Sequence, residues 1–467
     1  LAGSIFPAQK TFIFLLLSSL FFSACSQMQQ PDFAALYQTE RIRTQQPPVI
    51  LIHGIMGSKL RSRKTGEEVW PGSFWQVLFG DYQNLANRLS ADMDQVADER
   101  YEAFAIADQI AGTDFYGSII RTLVDFGGYE LRQAGQPQSS EARRPGLYLL
   151  LYDWRQDNVQ SVSQLDALIE KIRKDHDDPK LRVDIIAHSM GGLIARYYAR
   201  YGTRDVLNSN EFPVSHKGSD KLRRVVLLGT PNFGSLSSLH SLVRGQKVGL
   251  QRVSPTVLAT MPSIFQLLPH AINTWLVTVD GEPLSRDIFD VRIWRRFQWS
   301  VFDPKIQKEV LNLFSSKESG EQYLARLELF FERSLERARR FLWSLSVEIE
   351  DAEQRYIVFG GTCEPTPARA LVEEVNGESV LRLWPSEIRK QDGTIDYEEL
   401  ILEPGDGLVT KASLLARTVL DPSTPRHKYS FFSLESSFFL CEDHEHLTGN
   451  KHFQDNLLHA LLHAKQG

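Results

Sequence analysis

The stretch that most constrains this chain is Val183-Asp184-Ile185-Ile186-Ala187-His188-Ser189-Met190-Gly191-Gly192-Leu193-Ile194-Ala195-Arg196. A short apolar run ends in a turn built from small residues, and a helix-like run follows at once. That layout lifts one serine out of a strained strand-to-helix turn, where bulky neighbours would clash. Alanine at position 187 departs mildly from the glycine usual there. The first amides of the following helix face a serine held this way, so negative charge developing beside it is stabilised by the positive end of the helix dipole.

The elbow needs a mostly parallel sheet, and the flanking segments supply one. Pro48-Val49-Ile50-Leu51-Ile52, Leu147 to Tyr152, Arg224 to Leu228 and Arg355 to Phe359 are apolar on both faces, as strands buried on both sides are. Amphipathic helical segments alternate with them: Leu165, Leu168, Ile169 and Ile172 mark one, and Phe453 to His463 closes the chain. The expected fold class is α/β, with helices on both faces of the sheet. Alternation breaks down over residues 236–350, where Leu324, Leu327, Phe331, Leu335, Leu342 and Leu345 fall at helical spacing. This stretch reads as a helical cap inserted between a first core part, 47–235, and a second, 351–467.

A serine hydroxyl needs a base, and the base needs a carboxylate to fix its tautomer. In enzymes built on such an elbow, acid and histidine follow the serine in that order. Glu403-Pro404-Gly405-Asp406-Gly407-Leu408-Val409 makes Asp406 the candidate acid, in a glycine-flanked loop. Of the histidines near the end, His446 opens the loop before the last helix and is the expected base, with His444 the alternative. Met56, in the glycine-bearing loop after the first strand, and Met190 are the candidate oxyanion-hole amides. His53 reads as a loop-packing residue and Asp153 as structural. His459 and His463, four apart on a helix, have no third ligand motif, so no metal is expected and no cofactor is needed.

Trp70, Phe74, Trp75 and Phe79 follow the oxyanion loop in a dense aromatic stretch. Buried packing is the first reading and contact with acyl chains or a lipid surface the second. At the amino terminus, Lys10 precedes a short apolar run, and Phe22-Ser23-Ala24-Cys25 resembles the bacterial lipobox. Residues 1–25 are then a lipoprotein-type signal peptide, 26–46 a polar tether, and Cys25 the lipidated residue, anchoring the chain in a bacterial cell envelope. Cys363 and Cys441 read as free buried thiols, with pairing in an oxidising compartment the alternative. The net charge of -6 argues against a nucleic-acid partner, and no obligate protein partner is evident.

The blocks Pro48 to Ser58, Tyr152-Asp153-Trp154-Arg155, His188-Ser189-Met190-Gly191, Gly229-Thr230-Pro231-Asn232-Phe233-Gly234, Met261-Pro262-Ser263, Gly405 to Val409 and His446-Leu447 occur in the order seen in the lecithin:cholesterol acyltransferase family, which this chain resembles. The resemblance implies an α/β-hydrolase fold, a Ser189-Asp406-His446 triad, oxyanion donors at Met56 and Met190, and a lipid or membrane acyl ester as substrate. Its aromatic stretch would engage lipid. His53 in place of proline and Leu408 in place of threonine depart from the family pattern. Alternatives are an esterase acting on soluble substrates, a deacylase of glycolipid anchors, or a catalytically silent lipoprotein that binds lipid or protein. Whether the acyl group passes to water or to an alcohol is open in the sequence.

Overall fold

Val49, Ile50, Leu51 and Ile52 are all fully buried, yet they alternate between two separate cores. Successive strand residues face opposite sides, so four apolar residues in a row belong in a strand covered on both faces. The computed structural model describes residues 31–43, 46–72, 82–89, 99–110, 113–136, 144–347, 355–389, 391–417 and 433–463.

The main sheet has seven strands, numbered here in chain order: β1 Val49–Ile52, β2 Glu130–Leu131, β3 Gly146–Leu150, β4 Val183–His188, β5 Leu222–Leu228, β6 Tyr356–Gly361 and β7 Leu434–Leu440. Their spatial order is β7-β6-β5-β4-β1-β3-β2, and every neighbouring pair is parallel. One face packs under α1, Asn158–Asp175, and α2, Met190–Tyr201, where Ile50, Ile185 and Val225 meet Leu165, Ile169, Leu193 and Tyr197. The other face carries α5, Lys451–Leu462, where Leu51, Ile186, Val226 and Phe359 join Phe453, Leu457 and Leu461. Truncating any one of these aliphatic core residues to alanine is expected to cost about 2–5 kcal/mol.

Residues 236–347 are mainly helical, from α3, Leu236–Arg244, to the long α4, Lys317–Ser346. The stretch also holds a hairpin, Gln246–Val248 with Gln251–Val253. Its strand Leu276–Thr278 pairs in parallel with Ala370–Val375, which pairs antiparallel with Glu378–Arg382. This small sheet therefore draws strands from both sides of the boundary expected near 350. Two buried arginines of α2 hold the end of α4: Arg196 donates to Leu345 O at 2.6 Å and Arg200 to Val347 O at 2.6 Å.

Part of the expected tether differs from a free linker. Phe33–Leu36 and Gln38–Arg43 are helical, Phe33 and Tyr37 are buried beside Leu458 and Leu462, and Tyr37 donates to Asp455 Oδ1 at 2.6 Å. Two aromatic side chains spaced four apart suffice to dock an otherwise polar segment. Residues 1–30, with the apolar run and Cys25, lie outside the described residues. No described helix is long and apolar enough to cross a membrane.

Candidate active site

Ser189 joins β4 to α2 with φ 53° and ψ −125°, a left-handed conformation a non-glycine residue adopts only when its surroundings enforce it. Its amide donates to Leu228 O at 2.7 Å, tying the turn to the end of β5. A Cβ at Gly192 would lie 2.0 Å from Thr230 Oγ1, so the helix approaches the strand end only because that residue has no side chain. A Cβ at Gly54 would lie 2.7 Å from Ser189 Cβ, which puts the turn after β1 directly against the serine.

That turn closes through Gly57 N donating to Gly54 O, with Met56 at φ 61°. The Tyr-Asp-Trp-Arg block braces it. Tyr152 Oη donates to His53 O at 2.6 Å, Trp154 Nε1 to Ser58 O at 3.2 Å, and Arg155 pairs with Asp153 at 2.5 Å. His53 stacks on Tyr152 at 4.1 Å, and burial pushes its pKa down to about 4 despite its bond to Gly54 O, so it packs as a neutral ring.

Asp406 sits at the end of the short strand Leu402–Gly405. Its Oδ1 accepts from Leu408 N at 3.0 Å and Val409 N at 2.7 Å, and its Oδ2 accepts from His444 Nδ1 at 2.8 Å. His444 N also donates to Asp406 O at 2.9 Å, so backbone and side chain lock the two residues together. Ser189, Asp406 and His444 are 8%, 2% and 7% exposed. Burial alone would depress the His444 pKa, but the Asp406 charge and hydrogen bond outweigh it and raise it above 6.5.

The expected base, His446, is elsewhere. Its side chain is 57% exposed, its Nδ1 lies 2.8 Å from both carboxylate oxygens of Asp443, and it does not line the cavity at Ser189. The loop turn accounts for this: Asp443 Oδ1 accepts from Glu445 N and His446 N, which rotates residue 446 outward while the His444 amide is drawn in by Asp406. Cys441, just upstream, is disulfide-bonded to Cys363 at the end of β6 with a Cα separation of 4.9 Å, which corrects the expectation of free thiols. The bond fastens the start of this loop to the main sheet.

A second polar chain, with no role assigned in the sequence, runs behind the serine. Gly54 N donates to Tyr116 Oη at 2.7 Å, leaving the tyrosine hydrogen for His188 Nδ1 at 3.0 Å; His188 Nε2–H then faces His444 O at 3.4 Å. Burial, with the neighbouring His444 charge, pushes His188 down to about 3. It is a neutral strut between the turn after β1 and the histidine loop.

Ser189, His188 and His444 line a cavity of about 340 Å³. Ile55, Met56, Trp70, Phe115, Ile264 and Leu267 make its walls apolar, while Ser237, Ser238 and Ser241 of α3 and Lys247 of the hairpin give one side polar groups. Trp70 is fully buried, donates to Met56 O at 2.9 Å and packs edge-on against Trp154, so it faces this cavity and not an outer lipid surface. Phe74, Trp75 and Phe79 lie outside the described residues. No cluster of three or more metal-ligating side chains occurs among the described residues.

A parallel seven-stranded sheet that carries its serine on a strained strand-to-helix turn also superposes on a solved structure, that of the Tle4-Tli4 complex. The match has a TM-score of 0.58 at 16% identity and covers 90% of this chain and 99% of that one. The fold is that of the α/β-hydrolases. Residues 144–313 match the lecithin:cholesterol acyltransferase family. Two further solved structures match more weakly. Lipase 1 from Pelosinus fermentans matches at 16% identity over 90% of this chain and 100% of that one, with a TM-score of 0.30. Phospholipase PlaB from Legionella pneumophila matches at 11% identity over 68% and 39%, with a TM-score of 0.24. Among curated protein sequences nothing matches.

Proposed function

We propose that this α/β-hydrolase cleaves or transfers the acyl group of a lipid ester through an acyl-Ser189 intermediate. The observation that carries the reading is the buried Asp406-His444 pair on the wall of the apolar cavity that holds Ser189. The family match over residues 144–313 supports a lipid acyl ester as substrate, and the apolar walls suit an acyl chain.

In this mechanism His444 Nε2 takes the proton from Ser189 Oγ as the oxygen attacks the ester carbonyl. Asp406 holds the opposite nitrogen protonated and stabilises the imidazolium that forms. The amides of Met56 and Met190 receive the negative charge on the carbonyl oxygen, a contribution of roughly 10²–10³ in rate for each well-aimed donor. The tetrahedral intermediate collapses, the alcohol leaves with the proton from His444, and the acyl group stays on Ser189. Water or an incoming alcohol, deprotonated by His444, then removes it. Residues 236–347 act in this reading as the cap that governs which acceptor enters, and Cys25 as the lipid anchor that holds the enzyme at an envelope membrane.

The test is a mass-spectrometric survey of products from isotopically labelled phospholipid, with and without an alcohol acceptor. Free labelled fatty acid or a new labelled ester, absent with Ser189→Ala, supports the proposal. Intact phospholipid under both conditions contradicts it.

A further inference from the structure

A second cavity, of about 670 Å³, lies where the end of α3, the hairpin strand Gln251–Val253, the helix Pro304–Asn312 and the strand Glu378–Arg382 converge. Its charges are unevenly matched. Lys305 pairs with Glu378 at 2.9 Å, and Arg382 pairs with the buried Glu373 at 2.8 Å. Glu387 spends one oxygen on the amides of Leu383 and Trp384. Arg244, Arg252 and Arg389 line the same cavity with no carboxylate at salt-bridge distance among the described residues. Burial lowers the pKa of His240, which also lines it and brings ring nitrogens without a fourth fixed charge.

The three arginines are exposed, and the Glu378 charge reaches Arg244, but five basic side chains line the cavity against the two carboxylates of Glu378 and Glu387, so its field attracts an anion. Arg252 is held in place by donating to Arg244 O at 2.5 Å, so its fork does not swing freely. A phosphomonoester brings close to two negative charges and three terminal oxygens, enough to pair with three such forks, whereas one carboxylate brings a single charge and two oxygens. The cavity also adjoins the one at Ser189. In the hairpin, Arg252 stands opposite Lys247, and Lys247 lines the Ser189 cavity.

We infer that Arg244, Arg252 and Arg389 form a binding site for a phosphomonoester, separate from the Ser189 cavity and joined to it by the hairpin. The group is carried either by a small soluble ester or by a lipid headgroup in a bilayer. The site does not depend on the acyl-transfer chemistry, so Ser189→Ala protein binds as wild type does.

Two probes separate the sources. Glycerol 3-phosphate is titrated calorimetrically into the full chain, and the chain is co-sedimented with phosphatidylcholine vesicles with and without phosphatidic acid. Saturable binding of glycerol 3-phosphate assigns a soluble ester, and binding only to the vesicles containing phosphatidic acid assigns a headgroup. In either case Arg244→Gln/Arg252→Gln is expected to weaken binding at least tenfold with an unchanged melting temperature. Arg389→Gln, on a different element, weakens it severalfold and serves where the double variant does not fold. Wild-type protein that binds neither probe, or variants that bind as tightly as wild type, overturn the inference.

Discussion

Two aspartate-histidine pairs share the same 2.8 Å contact: the buried Asp406 with His444, whose ring lines the apolar cavity, and Asp443 with the exposed His446, which does not. In both, the histidine pKa is raised above 6.5. For His446 the hydrogen bond it donates to Asp443 is the main cause; for His444 strong desolvation opposes the charged form, and Asp406 overcomes it. Contact distance therefore does not distinguish the proposed base from a surface ion pair. Burial does, because a carboxylate withdrawn from solvent acts more strongly on its partner, while a solvated pair is worth ~0–1 kcal/mol.

Removing members of the two pairs puts this contrast at risk, beginning with the largest effect. Ser189→Ala and His444→Ala should each lower kcat/KM on an ester substrate by roughly 10⁴–10⁶. Asp406→Asn keeps the shape but removes the charge, and kcat should fall by about 10³–10⁴. A pH profile sharpens that result. His444 accepts a proton only when neutral, so activity should rise with pH through a midpoint above 6.5 in the wild type, and Asp406→Asn should move that midpoint down. The same raised pKa contributes to stability below the unfolded-state value and ceases to do so as pH climbs through the folded one.

The Cys363-Cys441 bond anchors the loop that carries both histidines. Cys363→Ser/Cys441→Ser should lower unfolding free energy by about 2–5 kcal/mol in a denaturant titration, given that it closes a loop of 78 residues. Tyr116→Phe strands Gly54 N and His188 Nδ1 in a buried position, which costs about 1–3 kcal/mol of stability. Because these groups join the turn after β1, the proposed source of one oxyanion amide, to the histidine loop, kcat should drop more than KM changes. At the small end, His446→Ala should alter kcat/KM less than about twofold and stability by no more than ~1 kcal/mol.

The parts readable from the sequence are those fixed by local pattern. Alternating apolar faces announced β1, β4 and β5, and small residues around Ser189 announced the turn. Glycines around Asp406 marked the loop in which its carboxylate now receives two backbone amides and His444. The choice between His444 and His446 was not local in that sense. It depends on whether Asp443 turns the chain before or after the histidine meets Asp406, some 38 residues away, and an aspartate three residues before His446 gives that histidine a carboxylate of its own. Tyr116 reaches His188 across 72 residues with no motif to mark it, and the disulfide spans a similar gap. Phe33 and Tyr37 are too sparse in a polar segment to announce docking. For Trp70 the sequence favours packing over lipid contact, and its indole N–H bonded to Met56 O places it inside.

The central claim is that Ser189 is activated by the buried histidine, His444, and not by the exposed one, His446. The most direct test is the rate of covalent labelling of Ser189 by a fluorophosphonate, measured in parallel for wild type, His444→Ala and His446→Ala. Labelling that persists at near wild-type rate in His446→Ala and collapses in His444→Ala is the expected result. Collapse in His446→Ala with labelling retained in His444→Ala would contradict it.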